Sequence, residues 1–262
     1  MASLAATIGR VADQLSLRLR TNLPNLPDSL RPMLPRPLAE PFDSTDHLFE
    51  PAWGGLRALA FIGPAERPGS GDVRMVDAEG RDVGGRLVEL AGLAVRIDAR
   101  SAVLDGELVV VDAAGRADPE ELEARIGGRS GRPVAYLAFD LLHLDGRSLL
   151  SLPLIRRREM LRRVLRPGDE VVAVPAISGE GRALFDAVVA QGIAGVMARQ
   201  RTSPYLSGIR SRLWRFIPAI RSTKRARRAT GVVKDSLEPP TGPASAPVMA
   251  LINRLPLLED ED

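Results

Sequence analysis

Glu50-Pro51-Ala52-Trp53-Gly54-Gly55-Leu56-Arg57 is the stretch on which the reading of this chain turns. An acid two residues before Ala52 and an arginine five after it, with a tryptophan and two glycines between, have the shape of a functional loop with an exposed Trp. At its centre stands a methyl group, with no nucleophile, acid or base. Two readings are open on these eight residues: a loop that presents chemistry to a cleft, and a Gly-Gly turn with the tryptophan packed beneath it.

Working outward, residues 49–62 are apolar and strand-like, and Arg57-Ala58-Leu59-Ala60-Phe61-Ile62 reads as the second arm after the turn. Residues 73–76 predict a short strand, and Leu87, Leu90 and Leu93 predict a helix with one apolar face. Two longer apolar runs carry acids. In Leu104-Asp105-Gly106-Glu107-Leu108-Val109-Val110, an extended chain would put Asp105 and Glu107 on one face, whereas a hairpin would use Asp105-Gly106 as its turn. In Phe139-Asp140-Leu141-Leu142-His143-Leu144-Asp145-Gly146, Asp140 interrupts the strand and Asp145-Gly146 supplies the turn. Acids inside apolar strands are costly unless paired, metal-bound or open to a cleft.

Further along, helices are predicted over 119–126, 155–165 and 181–191, the last closed by Gly192. The second has an apolar stripe of Met160, Leu161, Val164 and Leu165, and an opposite face of Arg156, Arg157, Arg158, Arg162, Arg163 and Arg166. Such a face either grips phosphates or is simply solvated. Residues 193–199 and 211–217 complete the strands. The chain divides into a Pro-rich arm over 1–40, a domain over 41–219, and a tail over 220–262 that is basic at 221–228, acidic at its end, and expected to be disordered.

Composition excludes several chemistries. The 262 residues contain no cysteine, which removes disulfides, thiolate zinc sites and cysteine nucleophiles and suits a reducing cytoplasm. Only His47 and His143 are histidines, so no multi-histidine metal site exists. Among 36 Lys plus Arg, only Lys224 and Lys234 are lysines. The folded region therefore lacks any amine nucleophile. No apolar run is long enough for a signal peptide or a membrane span.

The motifs together resemble the adenylation domain of ATP-dependent DNA ligases, particularly the bacterial end-joining type. Four blocks carry the resemblance in the family's order: Phe49-Glu50-Pro51 with Trp53 and Gly55-Leu56-Arg57; the Leu104 to Val110 run; the Phe139 to Gly146 run; and Gly195-Val196 with Ser203-Pro204-Tyr205, Gly208, Arg210-Ser211 and Trp214. The match covers about Pro32 to Pro218. It implies an α+β fold, with antiparallel sheets around a nucleotide cleft and flanking helices. It also implies ATP and Mg2+ as cofactors, with Glu50 near the adenine amino edge, Phe139 stacked on the base, Glu107 on the ribose, and Arg57 on the phosphate side.

The departures fall on the chemistry. The resemblance puts the AMP-carrying lysine at Ala52 and its supporting aspartate at Gly54. Asp77-Ala78 stands where the family has Ser-Arg, Ala194 where it has a metal-side glutamate, and Arg199 where it has a lysine. Two further phosphate-side lysines correspond to Phe216 and Pro218. The 44 residues after Pro218 are too few for the family's OB fold. The expectation is a pseudo-ligase that cannot form lysyl-AMP and keeps at most weak nucleotide or DNA binding, with no intact catalytic residue and an unknown metal site. The alternatives are an active ligase of unconventional chemistry, and a non-enzymatic module that holds DNA or repair proteins through helix 155–166 and the basic run 221–228.

Overall fold

A computed structural model describes residues 23–112 and 115–219. Its strands, in chain order, are β1 (Leu34–Pro37), β2 (His47–Ala52), β3 (Leu56–Ile62), β4 (Val73–Asp77), β5 (Ala102–Val109), β6 (Ala135–Leu144), β7 (Arg147–Ser148), β8 (Val171–Ala173), β9 (Ile177–Ser178), β10 (Gly195–Gln200) and β11 (Arg210–Pro218). The helices are α1 (Pro119–Ile126), α2 (Leu154–Val164) and α3 (Gly181–Ala190), and Val88–Arg96 is a 3-10 segment. Among these described residues, no helix is long and apolar enough to cross a membrane.

Two sheets form. The first runs β1-β11-β10-β2-β9, and the second β4-β3-β5-β6-β7 with β8 added beside β6. The fold is α+β as expected, although not every pairing is antiparallel. β1 pairs with β11 in parallel, as β8 does with β6. β1 is an edge strand, the place where Pro35 and Pro37 do not break a ladder.

The opening stretch is not a hairpin. β2 pairs with β10 and β9, whereas β3 pairs with β4 and β5, so Trp53-Gly54-Gly55 carries the chain from one sheet to the other. Nor is Trp53 exposed: it is buried in the core between the sheets beside Phe49, Leu59, Val109 and Phe139. A crossover and a tight turn both ask for glycine, which is why the local sequence did not separate them.

Asp105-Gly106 lies inside β5 and makes no turn. A side chain at Gly106 would meet the Tyr136 ring at 2.5 Å, so glycine here lets Tyr136 cross the strand and donate its hydroxyl to the Ala58 carbonyl at 3.0 Å. Asp105 and Glu107 do share a face, opposite Leu59 and Arg57 of β3, toward the other sheet. The turn at Asp145-Gly146 forms as expected and joins β6 to β7.

On the outer faces, α3 packs on β10 and β2, and α2 packs on β6. The expected arginine face of α2 is corrected by its burial. Arg157 and Arg158 point inward with Leu154 and Leu161, leaving Arg156, Arg162, Arg163 and Arg166 exposed. The spacing of Leu154, Arg157, Arg158, Leu161 and Leu165 is itself a helical core stripe. Arg157 is fully buried against Asp140, with two parallel bonds of 2.8 Å and a third, of 3.0 Å, to the Ser203 carbonyl. Burial raises the Asp140 pKa, and the Arg157 hydrogen bonds oppose that rise. The acid that interrupts β6 is therefore a structural ion-pair partner. Lys224 and the basic run 221–228 lie outside the described residues.

Candidate functional site

The crossover stands at the mouth of a cleft of about 180 Å3, lined by Ala52, Gly54, Glu107, Phe139, Ala194 and Arg199 among others. Antiparallel pairing of β2 with β10 places Ala52 opposite Gly195, and Gly195 lies opposite Pro218 in β11. Gly54 has φ +85°, and a Cβ built on it would come 2.9 Å from the Ala194 Cβ. The positions where the resemblance puts an aspartate and a glutamate are thus in contact, closed around a glycine backbone that a side chain would strain.

Deeper in, Glu50 is 1% exposed and is held by two arginines, Arg158 of α2 and Arg199 of β10. Arg158 also donates to the Phe139 carbonyl at 3.0 Å and to the Val174 carbonyl at 2.5 Å. The Arg199 guanidinium lies 4.0 Å over the Phe139 ring and 4.8 Å from the Trp214 ring. Burial pulls both pKa values down, to about 10 for Arg158 and about 9 for Arg199, so both remain cations at neutral pH. A carboxylate this buried requires such partners.

Arg57 forms the neighbouring unit. Its Nε and Nη2 bond the Asp105 carboxylate at 2.5 and 2.6 Å, and its guanidinium lies 4.5 Å over Phe139. Burial works against the Arg57 charge, but Asp105 outweighs it and raises the pKa. The Tyr205 hydroxyl donates to Asp105 at 2.6 Å and accepts the Met33 N–H at 2.9 Å, which ties the segment before β1 to the site. Glu107 accepts the Gly55 N–H at 2.5 Å. Burial raises its pKa, while the amides of Gly55, Trp53 and Gly54 and the charge of Arg57 act the other way.

Sequence-selected Glu50, Ala52, Gly54, Arg57, Glu107, Phe139, Ala194, Arg199 and Phe216 all line this one cleft, and Pro218 sits at its edge. Asp77 turns elsewhere: it accepts the N–H groups of Glu79 and Arg81 and pairs with Arg81 Nε at 2.6 Å, fixing the turn after β4. Sequence reasoning missed Arg158, Asp105's bond to Arg57, and Tyr205's link to Met33. The signal for Arg158 was present, an arginine on the α2 core stripe of a chain whose strands carry buried acids.

The chemistry on offer is narrow. The cleft holds no amine, and its acids Glu50 and Glu107 are committed to arginines and to loop amides. Among the described residues, no group of three or more His, Asp or Glu side chains could hold a metal ion. Arg57 and Arg199 are the cations lining it, and each already neutralises a carboxylate. Among the described residues, the cleft therefore offers a triphosphate no cation that is not already engaged by a carboxylate of the chain.

Three comparisons bear on the site. A family model described as ATP dependent DNA ligase domain matches residues 42–216. A probable DNA ligase of Rhodococcus opacus (strain B4) is 37% identical over 150 residues, 56% of this chain and 30% of that protein. The multifunctional non-homologous end joining DNA repair protein LigD of Mycobacterium tuberculosis is 34% identical over 188 residues, 71% of this chain and 24% of LigD. The chain therefore spans less than a third of these relatives. Among solved structures, a mycobacterial DNA ligase D complexed with ATP and MES superposes with TM-score 0.60 at 30% identity, covering 72% of this chain and 60% of that one.

The Gly54 geometry predicts that Gly54→Ala lowers stability by about 1–2 kcal/mol in urea unfolding, and that adding Ala194→Gly recovers part of the loss by removing the 2.9 Å contact. Unchanged stability of Gly54→Ala would show that the backbone there is not held at positive φ.

Proposed function

The chain belongs to the ATP-dependent DNA ligase family, and from that premise we propose that it is a ligase-fold protein that does not adenylate itself, a pseudo-ligase of a DNA-repair setting with at most weak nucleotide or DNA binding. Ala52 carries the reading. Self-adenylation needs a nucleophile at that point of the cleft, and a methyl group has no electron pair to give. No lining residue replaces it, because the nearby cations are guanidiniums, which keep their protons and attack poorly.

Three features support weak rather than tight ATP binding. Glu50 is shared between two arginines, the Glu107 carboxylate is taken up by the crossover amides, and Arg57 is held by Asp105. A cleft of about 180 Å3 is also small beside the roughly 300–1,000 Å3 common for ligand pockets. The repair setting rests on the similarity to LigD.

The test is incubation of the purified chain with α-labelled ATP and magnesium, beside a variant carrying Ala52→Lys, Gly54→Asp, Ala194→Glu and Arg199→Lys. The wild type is expected to retain no label through denaturing electrophoresis. Covalent label on the wild type would instead establish unconventional ligase chemistry.

A second reading, DNA holding without catalysis, is favoured by the exposed Arg156, Arg162 and Arg163 of α2 and Arg166 just past its end, together with the positive charge of the sequence 221–228. It predicts that nicked-duplex binding weakens steeply with salt, and that truncation after Ala219 reduces the slope of that dependence. Binding that ignores salt, or an unchanged slope, would remove the DNA role from these groups.

A further inference from the structure

Phe139 offers the cleft an aromatic face, and Glu50 offers it a carboxylate. Together they suit a flat group that stacks on the ring and donates hydrogen bonds at its edge. In this chain both are already taken by one side chain. Arg199 reaches from β10, stacks its guanidinium 4.0 Å over Phe139, and pairs with Glu50. It is 2% exposed, and its Nε, like the Nη1 that stands against Glu50 as an ion-pair contact, finds no hydrogen-bond partner among the described residues.

That orphan donor is informative. A buried guanidinium placed only to neutralise Glu50 would be expected to spend its remaining N–H groups on carbonyls, as Arg158 does with Phe139 and Val174. Arg199 is instead surrounded by aromatic rings, Phe139 on one side and Trp214 at 4.8 Å, as a bound planar ligand would be. Arg158 alone already supplies Glu50 with a cation.

We infer that Arg199 is a built-in occupant of the base subsite, an internal planar cation that excludes purine nucleosides from the Phe139 face. The inference deepens the reading of the cleft as a vacated nucleotide site and rests on it. It adds a distinct physical cause: even without phosphates to neutralise, a purine meets a ring and a carboxylate that are filled. Arg57 covers part of the same ring at 4.5 Å but is anchored on Asp105, away from Glu50.

The experiment is titration of the full chain with adenosine, followed by calorimetry. Adenosine carries no phosphate, so the missing lysines do not affect the result. Wild type is expected to bind adenosine at most weakly, near the lower limit of the calorimeter. Arg199→Ala is expected to bind adenosine at least about tenfold more tightly, and Phe139→Ala in that background to lose the gain. Should Arg199→Ala fail to fold, Arg199→Lys serves instead, since it keeps a cation for Glu50 but has no planar group to stack. Adenosine binding by the wild type equal to that of the variants, or folded variants with no gain, would overturn the inference. Covalent label from ATP on the wild type would count against the pseudo-ligase reading and leave the adenosine comparison as a separate result.

Discussion

A carboxylate 1% exposed between two guanidiniums holds the centre of this structure together. Glu50 comes from β2, Arg199 from β10, and Arg158 from α2, which packs on the second sheet. Removing both arginines would leave Glu50 as an uncompensated buried charge, and such losses run to about 3–5 kcal/mol. Asp140 with Arg157 and Asp105 with Arg57 repeat the device. Three buried acids, each matched to guanidiniums, make the inter-sheet layer close to neutral. The Tyr205 hydroxyl extends the third pair to Met33, so the residues before β1 are fixed by the same layer.

That internal neutrality bears directly on function. A site for a nucleoside triphosphate has to offer uncommitted cations, a metal position and a nucleophile. Here the cations serve acids of the chain itself, Gly54 and Ala194 close on each other, and Ala52 carries a methyl group. The framework of the ligase fold, by contrast, persists in the β2–β10 and β5–β6 ladders and in Phe139, Trp214 and Tyr205. Packing and cleft chemistry are carried largely by different residues, so the apolar core does not depend on which polar groups line the cleft.

Much of this was legible in the sequence. The acids at 105, 107 and 140 stood out because they interrupt apolar strands, and all three proved to be paired, by Arg57, by loop amides and by Arg157. The Asp145-Gly146 turn was readable from its dipeptide. Trp53-Gly54-Gly55 was not, since glycine serves a crossover and a hairpin alike and only the long-range pairing of β2 with β10 decides between them. Arg157 and Arg158 were misplaced because charge was read as exposure, although their spacing with Leu154 and Leu161 marked them as inward. Burial of an arginine depends on an acid elsewhere in the chain, and local periodicity does not name that partner.

The most direct test of the account is a thermodynamic double-mutant cycle in urea on Glu50→Gln and Arg199→Met. Coupling of more than about 1 kcal/mol between the two positions is predicted, because Glu50 and Arg199 form a buried ion pair. Additivity to within about 0.5 kcal/mol would contradict it, and would mean that Arg199 is free to face a ligand instead of serving the fold.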